Sequence, residues 1–148
     1  FAAIPGLRLV VAIRDPVDSL ESRYNWYGCG SRYGRDPLEM AMSGLHSCSL
    51  HRHSDAPYAS EAAQLAALIA AVPRGRVHVL HAEALREAPG SAYGALLAFL
   101  GLPPFPPGHR PLPDANVGGG VGELDLCAPE RRGTLQQLKA IFAEDYAA

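Results

Sequence analysis

The sequence predicts an α/β fold built on a parallel sheet, because strand-like runs alternate with helix-like ones along the chain. Residues 7–13 are apolar almost throughout, residues 76–81 form a second β-favouring run, and residues 59–72 between them repeat with a helical period. Parallel neighbours need such a crossover, and its helix packs back on the sheet. The 148 residues suit one domain or part of one.

Taken in order, the run at 7–13 reads as a strand buried on both faces, ending at Arg14. Asp15 and Pro16 then signal a helix start: a carboxylate accepts N–H bonds at the N-cap, and proline loses none at the first helical position. Val17, Leu20, Tyr24 and Tyr27 recur at spacings of three and four, so a helix runs to the breaker Gly28-Cys29-Gly30. Residues 31–57 are polar, irregular and His-rich, with at most a short helix over 37–45. The Ala-rich helix at 59–72 carries Leu65, Leu68, Ile69 and Val72 on one face and stops at Pro73 and Gly75. The strand at 76–81 follows, then a helix over 91–100 with Gly101 as its C-cap. Residues 103–113 form a proline-rich connection and 116–122 a glycine-rich loop. A closing helix starts near Pro129 and Glu130 and carries Leu135, Leu138, Ile141 and Phe142.

Composition excludes several classes of function. Hydrophobic residues make up 48% and charged ones 19%, too apolar for a disordered tail. A net charge of −2 gives no general grip on nucleic acid or anionic membrane, so any anion site is local. No apolar run approaches the ~20 residues that span a bilayer. No charged leader precedes Phe1 and the helical pattern at 140–148 lacks a cap, so both ends are read as cut. The odd set Cys29, Cys48 and Cys127 contains no C-x-x-C pair and indicates neither a zinc site nor a disulfide framework. A Cys29–Cys48 bridge stays open.

The informative unit is the first strand followed by Arg14-Asp15-Pro16, then Ser22 and Tyr24. Arg14 stands at the carboxyl end of a strand, where open α/β sheets bind ligands, and Ser22 lies six residues into the next helix. A forked cationic donor and a neutral hydroxyl suit a phosphate monoester.

The segment Arg14-Asp15-Pro16-Val17-Asp18-Ser19-Leu20-Glu21-Ser22-Arg23-Tyr24 resembles the 3′-phosphate-binding motif of sulfotransferases that use 3′-phosphoadenosine 5′-phosphosulfate. Similar to that family are also Ala56-Pro57-Tyr58, the strand Val77-His78-Val79-Leu80 with Glu83 and Leu85, and Phe99-Leu100-Gly101-Leu102-Pro103. Asn116-Val117 and the closing segment 138–146 extend the resemblance over nearly the whole chain. It implies a P-loop NTPase-like parallel sheet flanked by helices and incomplete on its amino-terminal side. Residues 1–148 would then be a partial sulfotransferase domain, with the 3′-phosphate motif at 7–27, an acceptor-side segment at 28–57 and a closing helix at 129–146. The implied activity is transfer of a sulfuryl group to a hydroxyl or amine of a carbohydrate or small acceptor, with no metal. Arg14 and Ser22 would hold the 3′-phosphate, Asp15 and Pro16 would shape the turn, and Tyr24 would pack behind the helix. Gly118, Gly119 and Gly120 would offer backbone N–H groups to the nucleotide. The family's usual base at the position of Ser19 is missing, and so is its late Lys-Gly element. The resemblance implies the Golgi lumen for a eukaryotic carbohydrate sulfotransferase and the cytoplasm for a bacterial one.

The family's catalytic lysine sits in a Pro-Lys-x-Gly-Thr type loop after an earlier strand, and its general base also lies upstream. Lys139 is the only lysine here, so no catalytic residue is assigned, and the chain alone is expected to transfer no sulfate. The rivals are a non-catalytic remnant binding nucleotide or a partner protein, and a kinase relative, which would need an upstream Gly-x-x-x-x-Gly-Lys loop. Other features have plainer readings. His46, His51 and His53 are loop histidines rather than a metal set, Glu83 serves a turn and helix start, and Trp26 and Tyr27 pack in the core rather than stack on a sugar or adenine.

Overall fold

The computed structural model describes residues 4–43, 61–109 and 122–147. It is an α/β fold of mostly helices with one small parallel sheet. The chain divides into two compact units, Phe1–Asp15 with Leu65–Ala115 and Pro16–Gln64 with Asn116–Ala148.

The first unit contains the sheet. Strand β1 (Leu9–Ile13) pairs in parallel with β2 (Val77–His81), in a register from Leu9 opposite Val77 to Ile13 opposite His81. The parallel arrangement agrees with the sequence reading, but burial on both faces does not. Along β1 the residues alternate between half-buried and exposed, and Val10 is 41% exposed, because the helices that pack on the sheet lie against β2 rather than β1. Helix α4 (Glu61–Ala71) ends before Val72, which is buried, whereas Ile69 of the expected apolar face is exposed. After Pro73, one 3₁₀ turn (Arg74–Arg76) feeds β2. A short helix not expected from sequence, α5 (Ala82–Glu87), leads into α6 (Pro89–Leu100). Helix α6 ends as read, with Gly101 at φ 73° and its N–H donating to the Ala98 carbonyl. One face of α6 meets the sheet, where Phe99 stacks on His78 at 5.2 Å between ring centroids. The Arg8 guanidinium covers Phe99 and donates to its carbonyl oxygen.

The second unit contains the buried core. Helix α1 (Pro16–Tyr27) buries Val17, Leu20 and Tyr24, as its three-and-four spacing implies. Tyr27 and Trp26 do not follow: they are 44% and 51% exposed, which overturns the core-packing reading for both. The predicted breaker at 28–30 is also a start, since Gly28 at φ 64° turns the chain directly into α2 (Cys29–Tyr33). Glycine takes this left-handed conformation without the Cβ penalty. Gly34, again left-handed, closes α2, and α3 (Pro37–Ser43) follows. Cys29 is fully buried and disulfide-bonded, and Cys127 is free and exposed. Cys48 lies outside the described residues.

The closing helix is three pieces: a 3₁₀ turn (Pro129–Arg131), α7 (Arg132–Ile141) and α8 (Ala143–Ala147). The periodicity named the right buried residues, Leu138 and Phe142, with Leu135 and Ile141 packed against them. These meet Met40 and Ala41 of α3, and Leu124 and Leu126 from the segment before α7. Among the described residues no helix is long and apolar enough to cross a membrane, and no group of His, Cys, Asp or Glu could hold a metal ion.

Candidate functional site

Arg14 follows the last residue of β1 and is half-buried in the first unit. The next residue, Asp15, donates its backbone N–H to Glu83 Oε1 at 2.9 Å. Glu83 lies in the first turn of α5, just beyond β2, so its carboxylate ties together the chain leaving both strands. This agrees with its reading as a turn residue. The Nε of Arg14 is buried and has no hydrogen-bond partner among the described residues. A buried donor without an acceptor costs free energy, which makes this N–H a candidate for an acceptor from outside them.

Ser22 lies on α1 in the second unit, with its side chain exposed. Tyr24 on the same helix is buried, and its hydroxyl donates to the Arg35 carbonyl at 2.6 Å. Burial, together with the nearby Glu123 and Asp36 carboxylates, raises its pKa against the opposing charge of Arg131. Tyr24 therefore serves packing. Gly118, Gly119 and Gly120 lie outside the described residues, as do His46, His51, His53, the Ala56-Pro57-Tyr58 match and Asn116-Val117.

Sequence reasoning missed a polar clamp that secures residues 122–126. Asn25 on α1 donates its side-chain amide to the Leu124 carbonyl and accepts the Leu124 N–H, both at 2.7 Å, so one amide side chain mimics a strand neighbour. Glu123 Oε2 accepts the N–H groups of Gly30 at 2.8 Å and Ser31 at 3.0 Å, satisfying amides at the start of α2. The Ser31 hydroxyl, these amides and the charge of Arg32 hold the Glu123 carboxyl below its ordinary pKa, although partial desolvation opposes them. No local signal announces the clamp, since Glu123 and Gly30 are 93 residues apart.

Two expected results follow from it. Gly30 has no room for a side chain: an added Cβ would lie 2.7 Å from the Tyr24 hydroxyl and 2.8 Å from Glu123 Oε2. Both atoms are held by hydrogen bonds, so Gly30→Ala breaks one of them or moves α2. Urea unfolding should show a loss of about 1–3 kcal/mol, as for other overpacked positions. A lowered carboxylate pKa stabilises the fold above the unfolded value, here near 4.5, and that contribution is lost as pH falls through the folded value. Melting curves of wild type and Glu123→Gln should therefore be separated at neutral pH and converge in acid. A constant separation would show that the carboxylate charge plays no part.

Neither a protein-family model, nor a curated protein, nor a solved structure matches this chain.

Proposed function

We propose that this chain is the 3′-phosphate-binding part of a sulfotransferase domain with a P-loop-type sheet, whose donor is 3′-phosphoadenosine 5′-phosphosulfate. The supporting observation is Arg14: a guanidinium at the carboxyl end of a parallel strand, with its buried Nε lacking an acceptor among the described residues. Phosphate oxygens fit that donor in charge and geometry. Ser22, eight residues along the sequence, is proposed on the strength of the motif alone, and the residue is exposed on α1. The donor supplies a sulfuryl group for a hydroxyl or amine of a carbohydrate or small acceptor. This chain's own part is to hold the 3′-phosphate, the feature that separates that donor from ordinary adenine nucleotides.

Transfer also needs a cation where negative charge builds on the leaving phosphate. The single lysine, Lys139, lies near the carboxyl end of the sequence, in α7, and not in the Lys-containing loop that the family resemblance calls for. That favours a second reading for the 148 residues taken alone, in which they bind nucleotide without transferring sulfate.

Calorimetry on the chain with adenosine 3′,5′-bisphosphate and with adenosine 5′-monophosphate tests the proposal. Charge-assisted bonds to phosphate are worth about 1.5–3 kcal/mol before solvent screening, so the bisphosphate should bind at least several-fold tighter. Equal affinities remove the 3′-phosphate assignment. A labelled-donor assay with sugar acceptors should show no turnover, and measurable transfer would overturn the binding-only reading.

A further inference from the structure

Helix α6 has two working faces. Phe99 lies against His78 on one of them. On the opposite side, Gly90, Tyr93, Gly94 and Leu97 line a groove of about 490 Å³, whose other wall is the proline-rich segment after Gly101. That volume falls within the range of small-molecule sites, about 300–1,000 Å³. The far wall is aromatic: Phe105 and Tyr93 lie edge to face, 5.8 Å between centroids, and Phe105 stacks on His109 at 4.1 Å. Three rings thus form one continuous ladder within the first unit. No Asp, Glu, Lys or Arg lines the groove, so nothing in it would hold an ion, and its polar atoms are chiefly the Tyr93 hydroxyl and the His109 ring nitrogens.

The floor adds an independent observation. A Cβ added at Gly90 or Gly94 would meet nothing within 4 Å, so protein packing does not demand glycine at either position. Gly94, in the helix interior, costs the helix roughly 1 kcal/mol relative to alanine. Alanine serves elsewhere in the same helix, at Ala92, Ala95 and Ala98. Bare backbone on the floor and rings on the wall together suit a flat aromatic molecule that lies along the helix against the ring ladder.

We propose that this groove is a binding site for a neutral, planar aromatic compound of about two rings, with a hydroxyl or similar polar edge that meets Tyr93 or His109. The site is separate from the Arg14 strand end and does not rest on the sulfotransferase reading. The test is titration of the 148-residue chain with 2-naphthol, followed by calorimetry or ligand-observed magnetic resonance. Saturable one-to-one binding is expected. Gly94→Leu puts a side chain on the floor, where an added Cβ meets nothing within 4 Å, and improves helix propensity, so it should weaken 2-naphthol binding by about tenfold or more while the melting temperature is kept or raised. Phe105→Ala should weaken binding as well. Decahydro-2-naphthol, of similar size but without a π face, should bind more weakly than the probe. Absence of saturable binding, equal binding to wild type and Gly94→Leu, or equal binding of the two ring systems would each overturn the proposal.

Discussion

Arg14→Ala should lower the affinity for adenosine 3′,5′-bisphosphate by about 10- to 100-fold, the equivalent of about 1.5–3 kcal/mol in charge-assisted bonding. Arg14→Lys should fall between the two, because an ammonium keeps the charge but loses the planar fork. The structure also states what these variants should leave alone. Since Nε of Arg14 has no hydrogen-bond partner among the described residues, its loss breaks no hydrogen bond to them and relieves an unpaired buried donor. The melting temperature should therefore hold steady or rise while affinity drops. Glu21→Ala, on α1 but outside the proposed contacts, should change binding little. If all three variants titrate like the parent, the strand-end arginine has no part in nucleotide binding.

Leu138→Ala should be the most damaging apolar truncation in the second unit. Leu138 is fully buried at the junction of α7 with the cluster of Val17, Leu20, Tyr24 and Phe142. Removing a buried leucine side chain costs about 2–5 kcal/mol, from lost transfer energy and the cavity left behind. The exposed neighbour Gln137 offers a control, whose replacement by alanine should stay within about 0.5 kcal/mol. Urea denaturation of both variants gives the comparison. A loss at Leu138 no larger than at Gln137 would mean that α7 is not docked on this core.

What the sequence disclosed followed the range over which its signals act. The apolar period of α1 and α7 pointed to Val17, Leu20, Tyr24, Leu138 and Phe142, and all five are in the core. Proline and glycine punctuation placed the start of α1 at Pro16 and the end of α6 at Gly101. These are local rules, satisfied within a turn or two. Three misreadings came from applying them where distant contacts decide. Tyr27 continued the stripe of Val17, Leu20 and Tyr24, and Trp26 was read as core beside it, yet both are exposed at the end of α1. The Gly28-Cys29-Gly30 run looked like a pure breaker, yet the Glu123 carboxylate supplies acceptors that let α2 begin there. Val10 looked like the middle of a fully covered strand, but a covering layer is not written in the strand's own residues. At the candidate site the sequence proposes Arg14, and the buried Nε without a partner among the described residues emerges only from the fold.

The Asn25 clamp bears on the order of events during synthesis. Its two bonds to Leu124 join residues 99 positions apart, and the unit they secure is assembled from both sides of the Leu65–Ala115 stretch. While the ribosome is still making that stretch, α1 has left the exit tunnel with Val17, Leu20 and Tyr24 ready to be buried, but the segment carrying Leu124, Leu126 and Leu138 does not yet exist. Long-range closure of this kind is slow and leaves apolar surface waiting. For this chain the nascent α1 is therefore the segment a chaperone would have to shield, and the shielding would have to last until Leu138 is translated.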